Sequence, residues 1–240
     1  MHILITRPEP DASDWRTKFE ARGAQVTIDP LLEIELLPPQ TADLTGVQAL
    51  IATSRNALRA LQNSPILPQA TALPIFTVGP ATAQLAHDLG FTAIYEGPAS
   101  ARDLVPVIAD TAAPAAGPLL HLSGDKLAFD LATAVSPHGF TLDRLPVYRS
   151  RPASKLHNHT VEALASGSID TVMLMSPLSA KTFSILTQKA GLYEQCQRLV
   201  YVCLSPNISN ALAPLHPAKV HIARKPNSQA VFTLIETLLA

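Results

Sequence analysis

Serine, threonine, glycine and proline are concentrated in short loops that follow predicted strands and open predicted helices. These loops are TRP (6–8), ATSRNA (52–57), VGPATA (78–83), HLSGD (121–125), MSPLSA (175–180) and LSPNIS (204–209). Helix N-termini present unpaired N–H groups and the positive end of the helix dipole, which suits carboxylates or phosphates. Ligands of parallel sheets bind beyond the carboxyl ends of the strands, where these loops lie. The loops therefore predict an anion-binding cleft; the alternative is that their hydroxyls only cap helices.

A second group of polar residues is VYRSRP (147–152), which supplies Tyr148, Arg149 and Arg151. We expect both arginines to be solvated or to steer carboxylates. Acidic residues are sparse in the loops apart from Asp125, so a carboxylate pair for hydrolysis is not evident. Chemistry in this chain would rest on hydroxyls, backbone amides, an occasional arginine and Tyr148.

The sequence lacks the familiar metal and cofactor motifs: it has no HExxH, CxxC or GxSxG. The loop VGPATA is neither a Walker loop nor GxGxxG, so nucleotide binding is poorly supported. The eight histidines are scattered, and we expect His157 and His159 to be solvated, not metal ligands. We therefore expect neither a cofactor nor a metal.

Composition is that of a globular chain: 240 residues, 47% hydrophobic and 15% charged, with a net charge of -1. Such a charge does not indicate nucleic acid or an anionic membrane as a partner. No apolar run approaches the length of a membrane span, and MHILITR is interpreted as a first strand. Two cysteines, Cys196 and Cys203, form no redox or metal motif. We expect both to be buried thiols of a cytoplasmic protein.

The chain also repeats itself. A strand, polar turn, helix, glycine, strand and proline occur in order from residue 2 and again from residue 119, and one interval separates both Gly23 from Gly139 and Pro30 from Pro146. Further matching segments are ALIATSRNALRAL (49–61) with TVMLMSPLSAKTF (171–183), IFTVGPATAQLAHDLG (75–90) with YVCLSPNISNALAPLH (201–216), and YEGPASARDLVPVI (95–108) with ARKPNSQAVFTLI (223–235). Chance self-similarity of strand–loop–helix chains is the alternative. Correspondence in the same order favours a true two-fold repeat.

Each half alternates short apolar strands with helices, which predicts parallel sheets with right-handed crossovers. The segments PLLEIELLPPQ (30–40) and RLPVYRSRPAS (144–154) occupy matching places, and their pairing would form a connector. We predict two similar parallel-sheet α/β domains joined by a two-stranded β connector, with a cleft between them. Residues 1–36 and 151–240 would form the discontinuous domain, and residues 37–150 the other.

Seven motifs follow one another over nearly the whole length of the chain: LITRP, IATSRNAL, FTVGPATAQLAHDLGF, LLHLSGD, LPVYRSRP, VMLMSPLSAKTF and ARKPNSQAVFTLI. In their order and spacing the chain resembles the uroporphyrinogen-III synthase family. The resemblance implies two α/β domains joined by a β-ribbon. It also implies a cofactor-free lyase that closes hydroxymethylbilane, a linear tetrapyrrole with eight carboxylates, to uroporphyrinogen III with loss of water and inversion of the last ring.

The reaction needs one folded substrate geometry more than strong acid–base catalysis, because spontaneous closure gives the symmetric isomer I. The resemblance implies that Tyr148 assists departure of the hydroxyl; the alternative is a tyrosine that packs the connector. The expected substrate-binding residues are Arg7, Thr53, Ser54, Gly79, Thr82, Ser123, Ser176 and Asn207. We expect Ser100 and Ser228 to cap the helices that follow them.

One departure from the family pattern lies in Ser205–Pro206–Asn207–Ile208, where the family has a Gly-Pro-Thr-Thr type of turn. Ile208 cannot bond a carboxylate, which keeps open an inactive anion- or small-ligand-binding protein of the same fold. A binding protein of the periplasmic type is a further alternative, but it would need an export signal. The expected partners are the substrate and hydroxymethylbilane synthase as its donor. We expect a monomer.

Overall fold

The computed structural model describes residues 1–38, 41–98 and 100–239. The chain divides into two compact units: unit 1 is Met1–Glu33 with Arg151–Ala240, and unit 2 is Ile34–Ser150. The chain thus passes between the units within two strands, β3 (Leu32–Leu36) and β8 (Leu142–Pro152).

Unit 1 is built on a parallel sheet of five strands among its described residues, in the order β11-β10-β9-β1-β2. Its strands are β1 (His2–Ile5), β2 (Gln25–Ile28), β9 (Thr171–Leu174), β10 (Val200–Cys203) and β11 (Lys219–Ile222). Its helices are α1 (Asp11–Glu20), α7 (Asn158–Ala165), α8 (Pro177–Lys189), α9 (Tyr193–Gln197), α10 (Pro206–Ala211) and α11 (Ser228–Leu239).

The sheet of unit 2 contains six strands within the described part of the chain, in the order β3-β8-β7-β4-β5-β6. Besides β3 and β8, these are β4 (Ala49–Ala52), β5 (Ile75–Val78), β6 (Ile94–Gly97) and β7 (Leu119–Gly124). Its helices are α2 (Arg55–Gln62), α3 (Leu67–Ala70), α4 (Pro80–Asp88), α5 (Leu104–Thr111) and α6 (Leu131–Val135).

The two sheets confirm the repeat and the parallel α/β fold class. The strand order β11-β10-β9-β1-β2 of unit 1 corresponds, element for element, to β6-β5-β4-β7-β8 of unit 2. The matched strands are the ones that the sequence pairs: β1 with β7, β9 with β4, and β10 with β5. Strand β3 is the addition to unit 2.

Strands β3 and β8 are neighbours in the sheet, as the connector hypothesis requires. The Leu37 N–H donates to the Val147 carbonyl at 2.7 Å, and the Ala153 N–H donates to the Leu31 carbonyl at 3.0 Å. Partner numbers rise on one strand as they fall on the other, so the two strands are antiparallel. Pro39 and Gln40, at the end of the predicted connector segment, and Ala99, within a predicted repeat, lie outside the described residues.

Alternation along the central strands places apolar side chains on both faces of each sheet, as buried parallel strands require. In unit 1, Leu4 packs with α8 and α10 on one face, whereas Ile3 packs with α1 and α11 on the other. In unit 2, Leu50 faces α2, and Ile51 faces α5 and α6. Because both faces are covered, the polar ends of the strands are left for function.

Helix capping agrees with the sequence at Ser100 and differs at Ser228. Ser100 forms a capping box with Asp103, whose carboxylate accepts from the Ser100 N–H at 2.8 Å. Before α11, the cap is Asn227, whose Oδ1 accepts from the Ala230 N–H at 2.8 Å. The prediction for Ser228 was wrong because α11 starts one residue earlier than expected, so Ser228 occupies the first helical position.

The Asn227 cap of α11 should contribute to the free energy of unfolding. Asn227→Ala should lower the free energy of unfolding by about 1 kcal/mol, because it leaves an N–H of the first turn of α11 without its partner. Ser228→Ala, on the exposed side of the same turn, should change it by less than about 0.5 kcal/mol. Urea denaturation of both variants measures the difference, and equal losses would contradict this cap assignment.

Candidate functional site

A break in strand pairing places Tyr148 at the carboxyl edge of the sheet in unit 2. Strands β7 and β8 pair in parallel up to Ser123 with Pro146, and the next pair is Gly124 with Tyr148. Val147 is therefore the extra residue of a bulge, which follows a proline that has no N–H for the ladder. Bulges re-aim side chains, and this one sets the half-buried Tyr148 ring against Gly124.

The end of β7 is fastened to β8 by hydrogen bonds from both strands. Arg144, on β8, donates from Nε to the Ser123 hydroxyl at 2.9 Å, and its NH2 group donates to the carbonyls of Gly124 and Asp125, the latter at 2.6 Å. The Asp125 N–H donates to the Tyr148 carbonyl at 2.9 Å. Ser123 is buried and donates its own proton to the Gly124 carbonyl at 3.0 Å.

The Tyr148 phenol has the Ser54 hydroxyl as a hydrogen-bonding neighbour. Ser54 follows β4 and caps α2, where its Oγ accepts from the Asn56 N–H at 3.2 Å. Burial raises the pKa of Tyr148 above its usual value; the bond with Ser54 opposes this rise and the charge of Asp125 adds to it. The phenol is therefore protonated at neutral pH and able to donate.

Thr53, the residue before Ser54, bonds to a buried histidine. The Nε2 atom of His121 lies 3.2 Å from the Thr53 hydroxyl, and His121 is 2% exposed. Burial, with the nearby charge of Arg144, lowers the pKa of His121 to about 4. At neutral pH the ring is uncharged, so it can orient the Thr53 hydroxyl without adding a positive charge.

The neighbouring strand, β5, leads into the helix start that contains Gly79 and Thr82. Gly79 precedes α4 with φ of 71°, a left-handed conformation that favours glycine, and Pro80 takes the first helical position. The Ala83 N–H donates to the Gly79 carbonyl at 3.2 Å. Thr82 is 6% exposed, so its side chain lies largely inside unit 2. The exposed part of this element is the N-terminus of α4.

Unit 1 presents a second set of candidate residues at the equivalent edge of its own sheet. Arg7 follows β1 and pairs with Asp11 at 2.8 Å. Ser176, the counterpart of Ser54, caps α8 by accepting from the Ser179 N–H at 3.0 Å. Asn207 is exposed near the start of α10, and Ile208 is buried in the core. Ile208 and Thr82 occupy matching helix positions, and both side chains point inward.

The structure thus distributes the expected residues over both sheets. Unit 2 gathers Tyr148, Thr53, Ser54, Gly79, Thr82 and Ser123 along the edge formed by β8, β7, β4 and β5. Unit 1 carries Arg7, Ser176 and Asn207. Sequence reasoning missed His121, Arg144 and Gly124. The only signal for them was position: two flank Ser123 in LHLSGD, and Arg144 precedes VYRSRP.

His157 and His159 are both exposed, and their rings stack with centroids 5.6 Å apart. His157 has a further contact that the sequence did not indicate. Its ring Nδ1 lies 2.8 Å from a carboxylate oxygen of Asp29, and its backbone N–H donates to the other carboxylate oxygen at 3.0 Å. Asp29 is buried, so this pair fastens the start of α7 to the segment after β2.

No group of three or more His, Cys, Asp or Glu side chains among the described residues is arranged to hold a metal ion. None of the helices in the described part of the chain has the length and apolarity that crossing a bilayer requires.

Comparison with known proteins gives one family. The family model of uroporphyrinogen-III synthase HemD matches residues 13–233, whereas no curated protein matches the chain. The fold is similar to that of uroporphyrinogen-III synthetase from Helicobacter pylori, with a TM-score of 0.65, 19% identity and 99% of both chains covered. It is also similar to a mutant uroporphyrinogen III synthase from Thermus thermophilus, with a TM-score of 0.56, 14% identity, and 99% of this chain and 97% of that chain covered. Because the family match spans both units, the chain belongs to the uroporphyrinogen-III synthase family.

Proposed function

We propose that this chain closes hydroxymethylbilane to uroporphyrinogen III, with loss of water and inversion of the last ring, at the carboxyl edges of its parallel sheets. The observation that carries the proposal is the family match over residues 13–233, which includes every candidate residue except Arg7. As the reaction eliminates water, we assign the chain to the hydro-lyases.

The departing hydroxyl needs a proton, and we assign its donation to Tyr148. The Ser54 Oγ accepts from the Asn56 N–H, so its own proton is free to point at the phenol oxygen. A donor in that direction lowers the phenol pKa, in agreement with the effect of Ser54. The Tyr148 proton then remains available for the substrate hydroxyl. Electron density from the pyrrole nitrogen expels that hydroxyl as water.

The substrate carboxylates need donors more than a dense cationic cluster. In unit 2, the N-terminus of α4 after Gly79 offers backbone N–H groups, and the Thr53 hydroxyl lies on the neighbouring strand end. We assign Thr82 to shaping this helix start and Ser123 to holding the end of β7, because both side chains are buried.

In unit 1, we assign Arg7, Ser176 and Asn207 to further carboxylates. The Arg7 guanidinium has planar N–H donors that match a carboxylate, so we assign it to a propionate or acetate. Its bond to Asp11 at 2.8 Å fixes its orientation. Asn207 is the exposed polar side chain of the altered turn, whereas Ile208 is buried.

The setting of the reaction follows from its chemistry. Hydroxymethylbilane closes without help, so we propose that hydroxymethylbilane synthase hands it over directly. Cys196 and Cys203 are free thiols, which agrees with a reducing cytoplasm. The exposed large apolar side chains of the described residues lie on separate segments, at Tyr95, Leu127, Ile185 and Ile222, which agrees with a monomer.

The deciding experiment supplies freshly generated hydroxymethylbilane to the purified chain and separates the oxidised porphyrin isomers. Isomer III in excess over a control without protein is the expected result. Isomer I alone, at the rate of the control, would overturn the proposal and favour an inactive anion-binding protein of this fold.

A further inference from the structure

Gly124 and the ring of Tyr148 are in close contact. A Cβ atom built on Gly124 would lie 2.9 Å from Cζ of the Tyr148 ring, 3.0 Å from Cε2 and 3.1 Å from the phenol oxygen. These separations are well below ordinary carbon contacts of about 3.5 to 4 Å. Only a residue without a side chain lets the ring lie where it does.

Backbone conformation does not explain this glycine. Eight other glycines have positive φ, and Gly124 is not among them. An alanine could therefore adopt the backbone of Gly124 without strain. What the position requires is space for the ring, including the phenol oxygen.

Arg144 holds the backbone of residues 123–125, which we call the seat of the Tyr148 ring. Its guanidinium bonds the Ser123 hydroxyl and the Gly124 and Asp125 carbonyls, which are three consecutive residues at the end of β7. Asp125 in turn donates to the Tyr148 carbonyl. Arg144 thus fixes the strand end from one side, and that strand end fixes the backbone and the ring of Tyr148.

We propose that Gly124 is a positioning residue for ring closure: its missing side chain seats the Tyr148 phenol, and Arg144 holds that seat in place. The inference rests on the proposed function of Tyr148 as the group that assists departure of the hydroxyl. Displacement of a catalytic group by about 1 Å can lower a rate about 100-fold.

The test is a double-mutant cycle of wild type, Gly124→Ala, Tyr148→Ala and the double variant. Gly124→Ala should lower kcat for isomer III by about 10-fold to 100-fold and leave KM within about twofold, because substrate binding is kept while the phenol is displaced. It should also lower the urea midpoint. In the Tyr148→Ala background no ring is present, so Gly124→Ala should change neither quantity further.

Two outcomes would overturn the inference: wild-type kcat in Gly124→Ala, with or without a lowered urea midpoint, or equal losses of kcat in both backgrounds. Arg144→Gln removes the guanidinium that bonds the end of β7 and adds no bulk beside the Tyr148 ring. It should lower kcat several-fold at constant KM, and unchanged kcat would remove Arg144 from the proposal. If wild type forms no isomer III, the proposed function fails, whereas the urea midpoints still report whether the seat exists.

Discussion

Tyr148→Phe is expected to lower kcat for isomer III about 100-fold while KM changes little. Loss of a positioned proton donor typically costs 10²-fold or more, and phenylalanine keeps the ring and its packing on Gly124. The proportion of isomer I should rise with the loss, because spontaneous closure continues at its own rate. Initial rates with freshly generated hydroxymethylbilane, followed by isomer separation, measure both effects.

Tyr95→Phe is the matched control for this variant. Tyr95 lies in the same unit, is 37% exposed and stacks on Phe76, so the substitution removes a phenol oxygen and keeps the ring stack. It should keep wild-type kcat and KM. If Tyr148→Phe also keeps wild-type kcat, the tyrosine only packs the connector strand, and the role of proton donor is wrong.

The architecture could be predicted because the signals that specify it are local and occur twice. Gly23 follows α1 and Gly139 caps the 3-10 turn after α6, both with positive φ. Ser54 and Ser176 both cap the helix after a buried strand. These glycines and capping serines set where helices start and end, and therefore the length and order of the elements. Parallel pairing then follows from the connections, and the two sheet orders correspond.

The interior of the site could not be predicted in the same way. Arg144 reaches Ser123 across 21 positions of sequence, and His121 reaches Thr53 across 68. Neither pair has a spacing that distinguishes it from other polar residues. The need for Gly124 depends on a bulge in β8, which is a property of strand register and not of composition. The cap before α11 shows the same limit, since a shift of one residue moves it from Ser228 to Asn227.

His121 should make the protein sensitive to acid. Its pKa in the folded chain is lowered to about 4 from 6.5. Between these two pH values, His121 is therefore protonated in the unfolded chain and neutral in the folded chain. The stabilisation is complete above pH 6.5 and is lost as pH falls toward 4. The loss from this one group should be about 2 kcal/mol between pH 7.5 and pH 5, and about 3 kcal/mol by pH 4.

His121→Gln removes the titrating group and keeps an amide that can bond Thr53, so its free energy of unfolding should fall less between pH 7.5 and pH 5 than that of wild type. His138→Gln is the control, because His138 is an exposed histidine of the same unit and should leave the wild-type pH dependence unchanged. Urea denaturation at the two pH values measures all three proteins. Equal losses in wild type and His121→Gln would mean that His121 is protonated inside the folded chain. At pH 5 the Thr53 hydroxyl would then face an imidazolium instead of a neutral ring.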